Sequence, residues 1–370
     1  MNFADDIAVI ETEVRGGDPA FDRVPMPERE AALNHLRCEA QHGDRDRFLL
    51  AGMGVVALAG NGHSRVMPNT AVSVIPQRIV MRDGHPALVE GTRATRILTV
   101  DGLPCAHVLA AWDPVLAGNV ARRRVLSGLM LGWPAALRHA GCGTGPDIRY
   151  RLVTGAERRY SSKDDVPALP LYPFGETGAL VPGVDDFGLP DGAVLAMRRG
   201  LWWWRIGDLA ALDAADVVQG VAAMADDPTA NVVVDLRGNP GGSFLKMLPL
   251  ITWLRGHWKG GRCAVLVNEY TFSAAIVTAA LLAHHVGARL FGADMGDDLA
   301  FHAEGGTADL PDSGAHLRHS TAWHDWATGH ADKTTPDEIA RHLIAAGPLH
   351  VKQVVRAMQE DAACAFALGA

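Results

Sequence analysis

The stretch 232–285 constrains the fold of this chain more than any other part of it. Two apolar runs lie in it, Val232–Val234 and Ala264–Val267, and each is followed by a polar turn and then by a segment with helix-like spacing of apolar residues. Short apolar runs bounded by turn residues are typical of buried parallel strands. The order strand, turn, helix, strand, turn, helix predicts a right-handed βαβ unit. In such sheets the ligand usually lies at the carboxyl ends of the strands.

The two turns of this unit carry residues that suit acyl-transfer chemistry. Gly241 and Gly242 follow the first run, and glycines let backbone N–H groups turn toward a ligand without a Cβ in the way. Ser273 follows the second run and opens a helix, so its hydroxyl is expected in front of the positive end of the helix dipole. A purely structural interpretation stays open, with Ser273 as an ordinary N-cap and the glycine pair as an ordinary turn.

Longer segments around both turns resemble the C-terminal-processing (tail-specific) serine proteases. The segments read DLRGNPGG at 235–242 and VNEYTFSAA at 267–275. They are most similar to the tricorn-core and interphotoreceptor-retinoid-binding-protein-like branch of that family. The resemblance implies an α/β fold with a ClpP/crotonase-like core, and Ser273 as the nucleophile. It also implies oxyanion donors from the backbone N–H of Ala274 and of Gly241 or Gly242, and it implies no metal and no organic cofactor.

His63 is the candidate general base. It lies in a glycine-flanked turn after the apolar run 45–59, where a histidine is ordinarily a surface or capped residue. The same branch carries a D-G-H-T-like element that contains its general base, and this chain has Asn61 in place of the acid and Ser64 in place of the threonine. The resemblance therefore implies that His63 is the base. Imidazole suits that role because its pKa lies near neutrality.

The residues that could assist the base are less well defined. The processing proteases carry a lysine base in the stretch after the serine helix, whereas this chain has Asp297 and Asp298 there, which favours a Ser–His arrangement over a Ser–Lys dyad. The other branch has an L-P-x-S-G element, and 310–314 resembles it. A catalytic histidine needs a partner that fixes its tautomer. The sequence leaves three acids open for that role: Glu304, Asp325 and Glu338.

Two further lobes are predicted outside the catalytic unit. Residues 1–70 are predicted to form an N-terminal helical lobe. Residues 71–165 contain short β-rich runs with Asp-Gly turns, and the resemblance implies a degenerate PDZ-like β-rich lobe, although a small unspecialised α+β lobe fits equally well. Within it, 114–140 is predicted to be helical. A proline-rich linker at 164–192 leads into the ClpP/crotonase-like catalytic domain, predicted for 166–370.

Composition excludes several classes of protein. The formal charge is −8, from 34 basic and 42 acidic residues without blocks of like charge, so nucleic acid is excluded as the main partner. The five cysteines are scattered without a C-x-x-C, which indicates free thiols and neither disulfides nor zinc. No apolar run is long enough to span a bilayer, and the amino terminus lacks a signal-peptide pattern. The chain is expected to be cytoplasmic as written, or periplasmic or secreted if a leader was removed.

The function predicted from the sequence is that of a serine peptidase acting on peptide or protein substrates, with an acyl-enzyme on Ser273 and His63 as the base. Two alternatives stay open: a non-catalytic binding protein that uses the same cleft for a peptide or an apolar ligand, and a hydrolase of small esters or amides. The oligomeric state is left open, and a homo-oligomer is among the partners allowed for.

Overall fold

The computed structural model describes residues 1–68, 72–82, 84–91, 93–161, 166–167, 193–198, 201–351 and 354. The predicted linker at 164–192 lies outside them apart from 166–167. Among the described residues, no helix combines the length and the apolar character that a membrane span requires.

The helices of the described part of the chain are labelled α1 to α10. They are Ala4–Thr12, Met26–Ala40, Arg45–Ala57, Cys105–Ala110, Val120–Met130, Pro134–His139, Ala214–Met224, Leu248–Gly256, Ala274–Val286 and Asp337–Ala346. Short 3-10 or π turns add Glu13–Gly17, Pro19–Arg23, Asp113–Val115 and Phe244–Met247.

The strands of the same described residues are labelled β1 to β18. They are Arg65–Met67, Ser73–Val74, Ile79–Arg82, His85–Glu90, Arg93–Val100, Leu103–Pro104, Asp147–Leu152, Glu157–Ser161, Val166–Pro167, Ala193–Arg198, Leu201–Ile206, Asn231–Asp235, Cys263–Val267, Arg289–Gly292, Ala300–Ala303, Gly306–Leu310, Ala315–His319 and Ala322–Asp325.

The chain divides into two compact units. The first contains Met1–Tyr172 and Phe301–Trp323, and the second contains Pro173–Ala300 and His324–Ala370. The chain therefore returns to the first unit late in the sequence. The three-domain division made from the sequence stays a prediction.

The second unit is built on a five-stranded sheet of order β10-β11-β12-β13-β14. The first pair is antiparallel, and β11 to β14 run parallel to one another. Every residue of β13 is buried, and so are Val232 to Asp235 of β12. Central parallel strands are covered on both faces, which explains their nearly continuous apolar sequence. The predicted order of strands and helices is confirmed: β12, α8, β13 and α9 follow one another.

The first unit contains a β-rich part and a helical part around one apolar core. Its largest sheet has the order β3-β4-β5-β7-β8, with β6 paired to β5; a three-stranded sheet has the order β1-β17-β16, and β2 pairs with β9. The prediction that 114–140 is helical is confirmed for α5, which ends at Met130, and for α6, which begins at Pro134. The segment divides at Pro134 because proline has no N–H to donate and its ring collides with the carbonyl four residues earlier, so it is tolerated best in the first turn of a helix.

The amino-terminal helix α1 is held by a turn more than three hundred residues away in the sequence. The Asp312 carboxylate accepts hydrogen bonds from the Asp5 and Asp6 amides, at 2.9 and 3.4 Å. The buried Asp6 carboxylate in turn accepts from the Asp312 and Ser313 amides, at 2.8 and 3.0 Å. The segment 310–314, which resembles a family motif, thus caps a helix in this protein.

Four cysteines lie in the described residues and all four are free thiols: Cys38 is exposed, and Cys105, Cys142 and Cys263 are buried. Burial raises the pKa of Cys105 and of Cys263 to about 12 and that of Cys142 to about 11. The thiolate is the reactive form, so the three buried thiols are inert near neutral pH. The prediction of free thiols is confirmed for these four residues, and Cys364 lies outside the described residues.

Candidate active site

Two loops lie side by side at the carboxyl ends of β12 and β13. We name residues 236–243 the glycine loop and residues 268–273 the serine loop. The two strands are parallel neighbours whose register pairs Val232 with Cys263 and Asp235 with Leu266. Because the strands end at the same edge of the sheet, the loops that follow them are adjacent. The expectation that the two turns are neighbours is confirmed.

Asparagine and threonine side chains join the two loops. The Gly238 amide donates to Asn268 Oδ1 at 3.0 Å, and Thr271 Oγ1 donates to the Leu236 carbonyl at 2.9 Å. The Phe272 amide donates to the Asn239 carbonyl at 3.0 Å. These bonds fix the backbone immediately before Ser273 relative to the glycine loop.

Asn239 also anchors the glycine loop to the neighbouring strand. Its side chain is fully buried, and Nδ2 donates to the carbonyl of Ile206, the last residue of β11, at 2.8 Å. Its Oδ1 accepts from the Gly241 amide at 2.9 Å and from the Leu209 amide at 3.4 Å. Both polar ends of one buried amide group are therefore used, which makes the loop conformation costly to change.

Ser273 has a strained backbone. Its φ is 55° and its ψ is −127°, a region that residues with a Cβ rarely occupy. It stands at the N-cap position of α9, yet its side chain makes no capping hydrogen bond. The interpretation of Ser273 as an ordinary N-cap is therefore wrong. A sharp, strained turn from a strand into a helix is the geometry that presents a nucleophilic hydroxyl at the top of a sheet.

Gly241 packs directly against Ser273. An added Cβ at Gly241 would lie 2.7 Å from the Ser273 Cβ, 2.9 Å from the Phe272 carbonyl oxygen and 3.2 Å from the Ala274 nitrogen. The φ of Gly241 is +104° and that of Gly242 is +134°, which favour glycine. The structure thus brings Ser273, Ala274 and Gly241 together, as the sequence predicted.

The amides predicted as oxyanion donors differ in what they contact. Ala274 is the first residue of α9, so its N–H belongs to the first turn, whose amides have no acceptor within the helix. The Gly241 amide donates to Asn239 Oδ1. Gly242 lies beside Leu209, with which it forms an isolated parallel bridge. The Ala274 amide can therefore donate to a ligand without giving up an intrahelical hydrogen bond. These contacts do not distinguish Gly241 from Gly242 as the second donor.

A buried ion pair lies at the start of the glycine loop. Asp235 ends β12, and Arg237 is the second residue of the glycine loop. Arg237 Nε donates to Asp235 Oδ1 at 2.8 Å and Nη2 donates to Oδ2 at 2.7 Å, while both side chains are 1% exposed. The Arg237 backbone amide also donates to Oδ1, at 3.1 Å. Two parallel charge-assisted bonds fix the direction in which the loop leaves the strand.

His63 lies in the first unit, in the turn after α3. Its side chain is 3% exposed, and its ring stacks on that of Phe301 with centroids 5.1 Å apart and planes inclined by 18°. The interpretation of His63 as a surface histidine is therefore wrong. The flanking residues Asn61 and Ser64 are buried as well, and Asn61 Nδ2 donates to Ser64 Oγ at 2.8 Å.

The three acids considered as partners of the base lie in different places. Glu304 is in the first unit, in the bend between β15 and β16, and is exposed. Asp325 is in the second unit and accepts from the Thr328 amide at 3.0 Å. Glu338 is exposed in the first turn of α10. At the position where the sequence has Asp297 and Asp298 instead of a lysine, the Asp298 amide donates to Asp297 Oδ1 at 2.9 Å.

Asn239, Asn268 and Thr271 lie within the two motifs, but no role was predicted for them from the sequence. A signal was present, because asparagine and threonine side chains in turns commonly bond to backbone groups a few residues away. The Gly241 and Tyr270 amides donate to asparagines two residues earlier in this way. The bonds from one loop to the other could not be inferred before the strands were known to be neighbours.

Comparison of the fold with solved structures finds mature CPAF, with a TM-score of 0.54 and 11% identity, covering 86% of this chain and 88% of that chain. Mature CPAF complexed with lactacystin matches with a TM-score of 0.51 and 11% identity, covering 86% of this chain and 89% of that chain. The photosystem II D1 C-terminal processing protease matches with a TM-score of 0.42 and 13% identity, covering 86% of each chain.

No family model and no curated protein matches the chain. The chain has the fold of CPAF, and the predicted α/β class is confirmed. The PDZ-like character of the β-rich lobe and the tricorn-core branch stay predictions.

Replacing Gly241 with alanine is expected to displace Ser273. Under the peptidase function proposed below, it should lower kcat/KM on a peptide substrate by about a hundredfold or more, since small displacements of catalytic groups cost that much. The added methyl group would collide with Ser273 and with backbone atoms that cannot move freely. Steady-state kinetics on the folded variant measure the effect. Gly261→Ala is the control, because an added Cβ there has its nearest neighbour at 3.9 Å. Equal activity of the two variants would contradict the assignment.

Proposed function

We propose that this chain is a serine peptidase that hydrolyses peptide bonds through an acyl-enzyme on Ser273. The observation that carries the proposal is the strained Ser273 backbone at the head of α9, with Gly241 packed against it. An ordinary loop would relax to a favoured conformation, and strain of this kind persists where the surrounding contacts impose it. The motif resemblance to the C-terminal-processing proteases and the fold shared with CPAF support the same function.

The proposed reaction begins with attack of Ser273 Oγ on the carbonyl carbon of the substrate peptide. His63 accepts the hydroxyl proton as the new C–O bond forms, and the carbonyl oxygen becomes an oxyanion. His63 then donates that proton to the leaving amine as the C–N bond breaks, which leaves an acyl-enzyme. Water attacks the ester with His63 again as base, the acid product leaves, and the Ser273 hydroxyl is restored.

The oxyanion is held by backbone amides. Ala274 supplies one donor at the amino end of α9, where the helix dipole favours negative charge. Gly241 or Gly242 supplies the second. If Gly241 does so, its amide must leave or share Asn239 Oδ1, to which it donates at 2.9 Å. The reaction as written needs no metal and no organic cofactor.

Labelling with a fluorophosphonate probe tests this function. We expect the wild-type protein to be labelled, and mass spectrometry of its peptides to place the adduct on Ser273. Ser273→Ala should not be labelled, because it lacks the nucleophilic oxygen. His63→Gln should be labelled more slowly, by about a hundredfold or more, because the base that activates the hydroxyl is lost. The exposed Ser73→Ala in β2 is the matched control and should be labelled at the wild-type rate.

Well-folded wild-type protein that takes up no label would contradict the peptidase proposal and favour a non-catalytic binding protein. Labelled protein that cleaves short acyl esters but no member of a peptide library would favour a small ester or amide hydrolase instead. Cleavage of peptides that disappears in Ser273→Ala supports the function as proposed.

A further inference from the structure

A buried polar cluster surrounds the turn that carries His63. We name Asp18, Asn61, Ser64 and Ser320 the carboxylate cluster; all four side chains are at most 7% exposed, and all belong to the first unit. Ser64 lies 46 residues from Asp18 and 256 residues from Ser320 in the sequence. Three remote segments of the chain therefore meet in this cluster.

The Asp18 carboxylate is the acceptor on which the cluster depends. Its Oδ1 accepts from the Ala20 amide at 2.9 Å, and its Oδ2 accepts from the Ser320 amide at 3.1 Å and from the Ser64 hydroxyl. A buried carboxylate is costly unless donors surround it, and here three donors do so. A neutral amide at this position could not accept at both ends, because its NH2 group would face one of these donors.

Asn61 completes the cluster from the opposite side. Its Nδ2 donates to Ser64 Oγ at 2.8 Å and to Ser320 Oγ at 2.9 Å. The Ser64 hydroxyl donates its hydrogen bond to Asp18 Oδ2, so its oxygen can accept from Asn61. An acid at position 61, as in the related motif, would place a second carboxylate beside these two hydroxyls. In this chain the carboxylate of the cluster comes from Asp18.

The cluster holds His63 from two directions. Ser64 and Asn61 fix the turn on both sides of His63. The residue after Ser320, Thr321, donates its amide to the Ala303 carbonyl at 3.0 Å, so the segment with Ser320 is bonded to the strand that also carries Phe301. The Phe301 ring is the surface on which the imidazole stacks. Both the turn of His63 and its stacking partner are thus connected to Asp18.

We propose that Asp18 is the positioning residue for His63, acting through Ser64, Ser320 and Asn61. The proposal rests on the proposed function, because positioning of the imidazole matters for catalysis only if His63 is the base. Asp18 is a different residue from the three acids that the sequence left open for this role. Asp18 does not act on the substrate itself. It holds the turn that carries His63 and the strand that carries its stacking partner Phe301, and so fixes the position of the imidazole.

Asp18→Asn tests the proposal with two independent readouts. The first is the rate at which diethylpyrocarbonate modifies His63, measured by peptide mass spectrometry, which needs no enzymatic activity. We expect slow modification in the wild-type protein, since His63 is 3% exposed, and modification about tenfold faster in the variant.

The second readout is steady-state kinetics of Asp18→Asn on a peptide. The kcat should fall by about tenfold to a hundredfold with KM nearly unchanged, because the geometry of the base and not substrate binding is altered.

Asp6→Asn is the matched control. Asp6 is a fully buried carboxylate of the same unit that accepts two backbone amides, and it lies outside the carboxylate cluster. At a temperature where both variants are folded, Asp6→Asn should leave both the modification rate and kcat within about twofold of wild type, as expected for sites that act independently. If Asp18→Asn does not fold, Ser320→Ala removes one hydroxyl of the cluster and should change both readouts in the same direction.

The outcomes separate this proposal from the peptidase proposal. Faster modification of His63 in Asp18→Asn supports positioning even if the wild-type protein proves to have no peptidase activity. A modification rate equal to that of Asp6→Asn overturns it. In an active protein, an unchanged kcat in a folded Asp18→Asn variant overturns it as well.

Discussion

Replacing Ser273 with glycine is expected to abolish catalysis and at the same time to make the protein more stable. The loss of the nucleophile should lower kcat on the order of 10⁴-fold or more. Glycine adopts φ 55°, ψ −127° without the steric cost that a Cβ incurs there, which releases about 1–3 kcal/mol of strain. Glycine also makes the unfolded chain more flexible, which costs about 0.4–1 kcal/mol. The strain is the larger of the two, so a net gain of about 1 kcal/mol in the free energy of unfolding is expected.

Ser273→Ala is the matched comparison for that experiment. Alanine removes the hydroxyl but retains the Cβ, so catalysis should be lost while the strain remains. Urea unfolding of the two variants under identical conditions measures the difference, which reports the strain at this position. A glycine variant less stable than the alanine variant would show that the backbone of Ser273 is not strained, and it would remove the observation that carries the proposed function.

Asp235→Ala is expected to cost about 3–5 kcal/mol of stability, because it leaves the buried guanidinium of Arg237 without its carboxylate. The cost is large because the two side chains are 1% exposed and because water cannot replace the lost partner. It is comparable with the whole stability of many single domains. Chemical unfolding, or the recovery of soluble protein when the variant does not fold, measures it.

A surface ion pair of the same length provides the control. Arg158 Nε lies 2.7 Å from Glu90 Oε1, as short as the buried pair, but the two side chains are 38% and 41% exposed. Glu90→Ala should therefore change stability little, since water screens the charges and solvates the remaining partner. If Asp235→Ala and Glu90→Ala had equal effects, burial would not be what makes the Asp235–Arg237 pair important.

The parts of the site that depend on local sequence were predictable. Apolar runs followed by glycine or serine turns predicted the order of β12, α8, β13 and α9. They also predicted that Gly241 and Ser273 are neighbours. That success has a physical reason: a buried parallel strand needs a continuous apolar run, and its loop must begin where the run ends.

The contacts that depend on remote segments were not predictable. Nothing in the sequence around His63 indicates that Asp18 or Ser320 lies beside Ser64. Helix α1 was not identified for a related reason: its N-cap residue, Phe3, makes no capping bond, and the Asp5 and Asp6 amides are capped by Asp312. Sequence motifs predict hydrogen bonds between residues that are close in the chain. The end of α1 and the turn of His63 are instead held by residues hundreds of positions away.

The late return of the chain to the first unit has a consequence for how the protein can be divided. A polypeptide ending at residue 172 would contain α1, β1 and the turn with His63, but it would lack 301–323. Its β1 edge would have no β17 to pair with, and the Asp6 and Asp18 carboxylates would lose the amides of Ser313 and Ser320. The amino-terminal half is thus not an autonomous folding module. Because 301–323 follow α9 in the chain, the first unit can be completed during synthesis only after most of the second unit has been made.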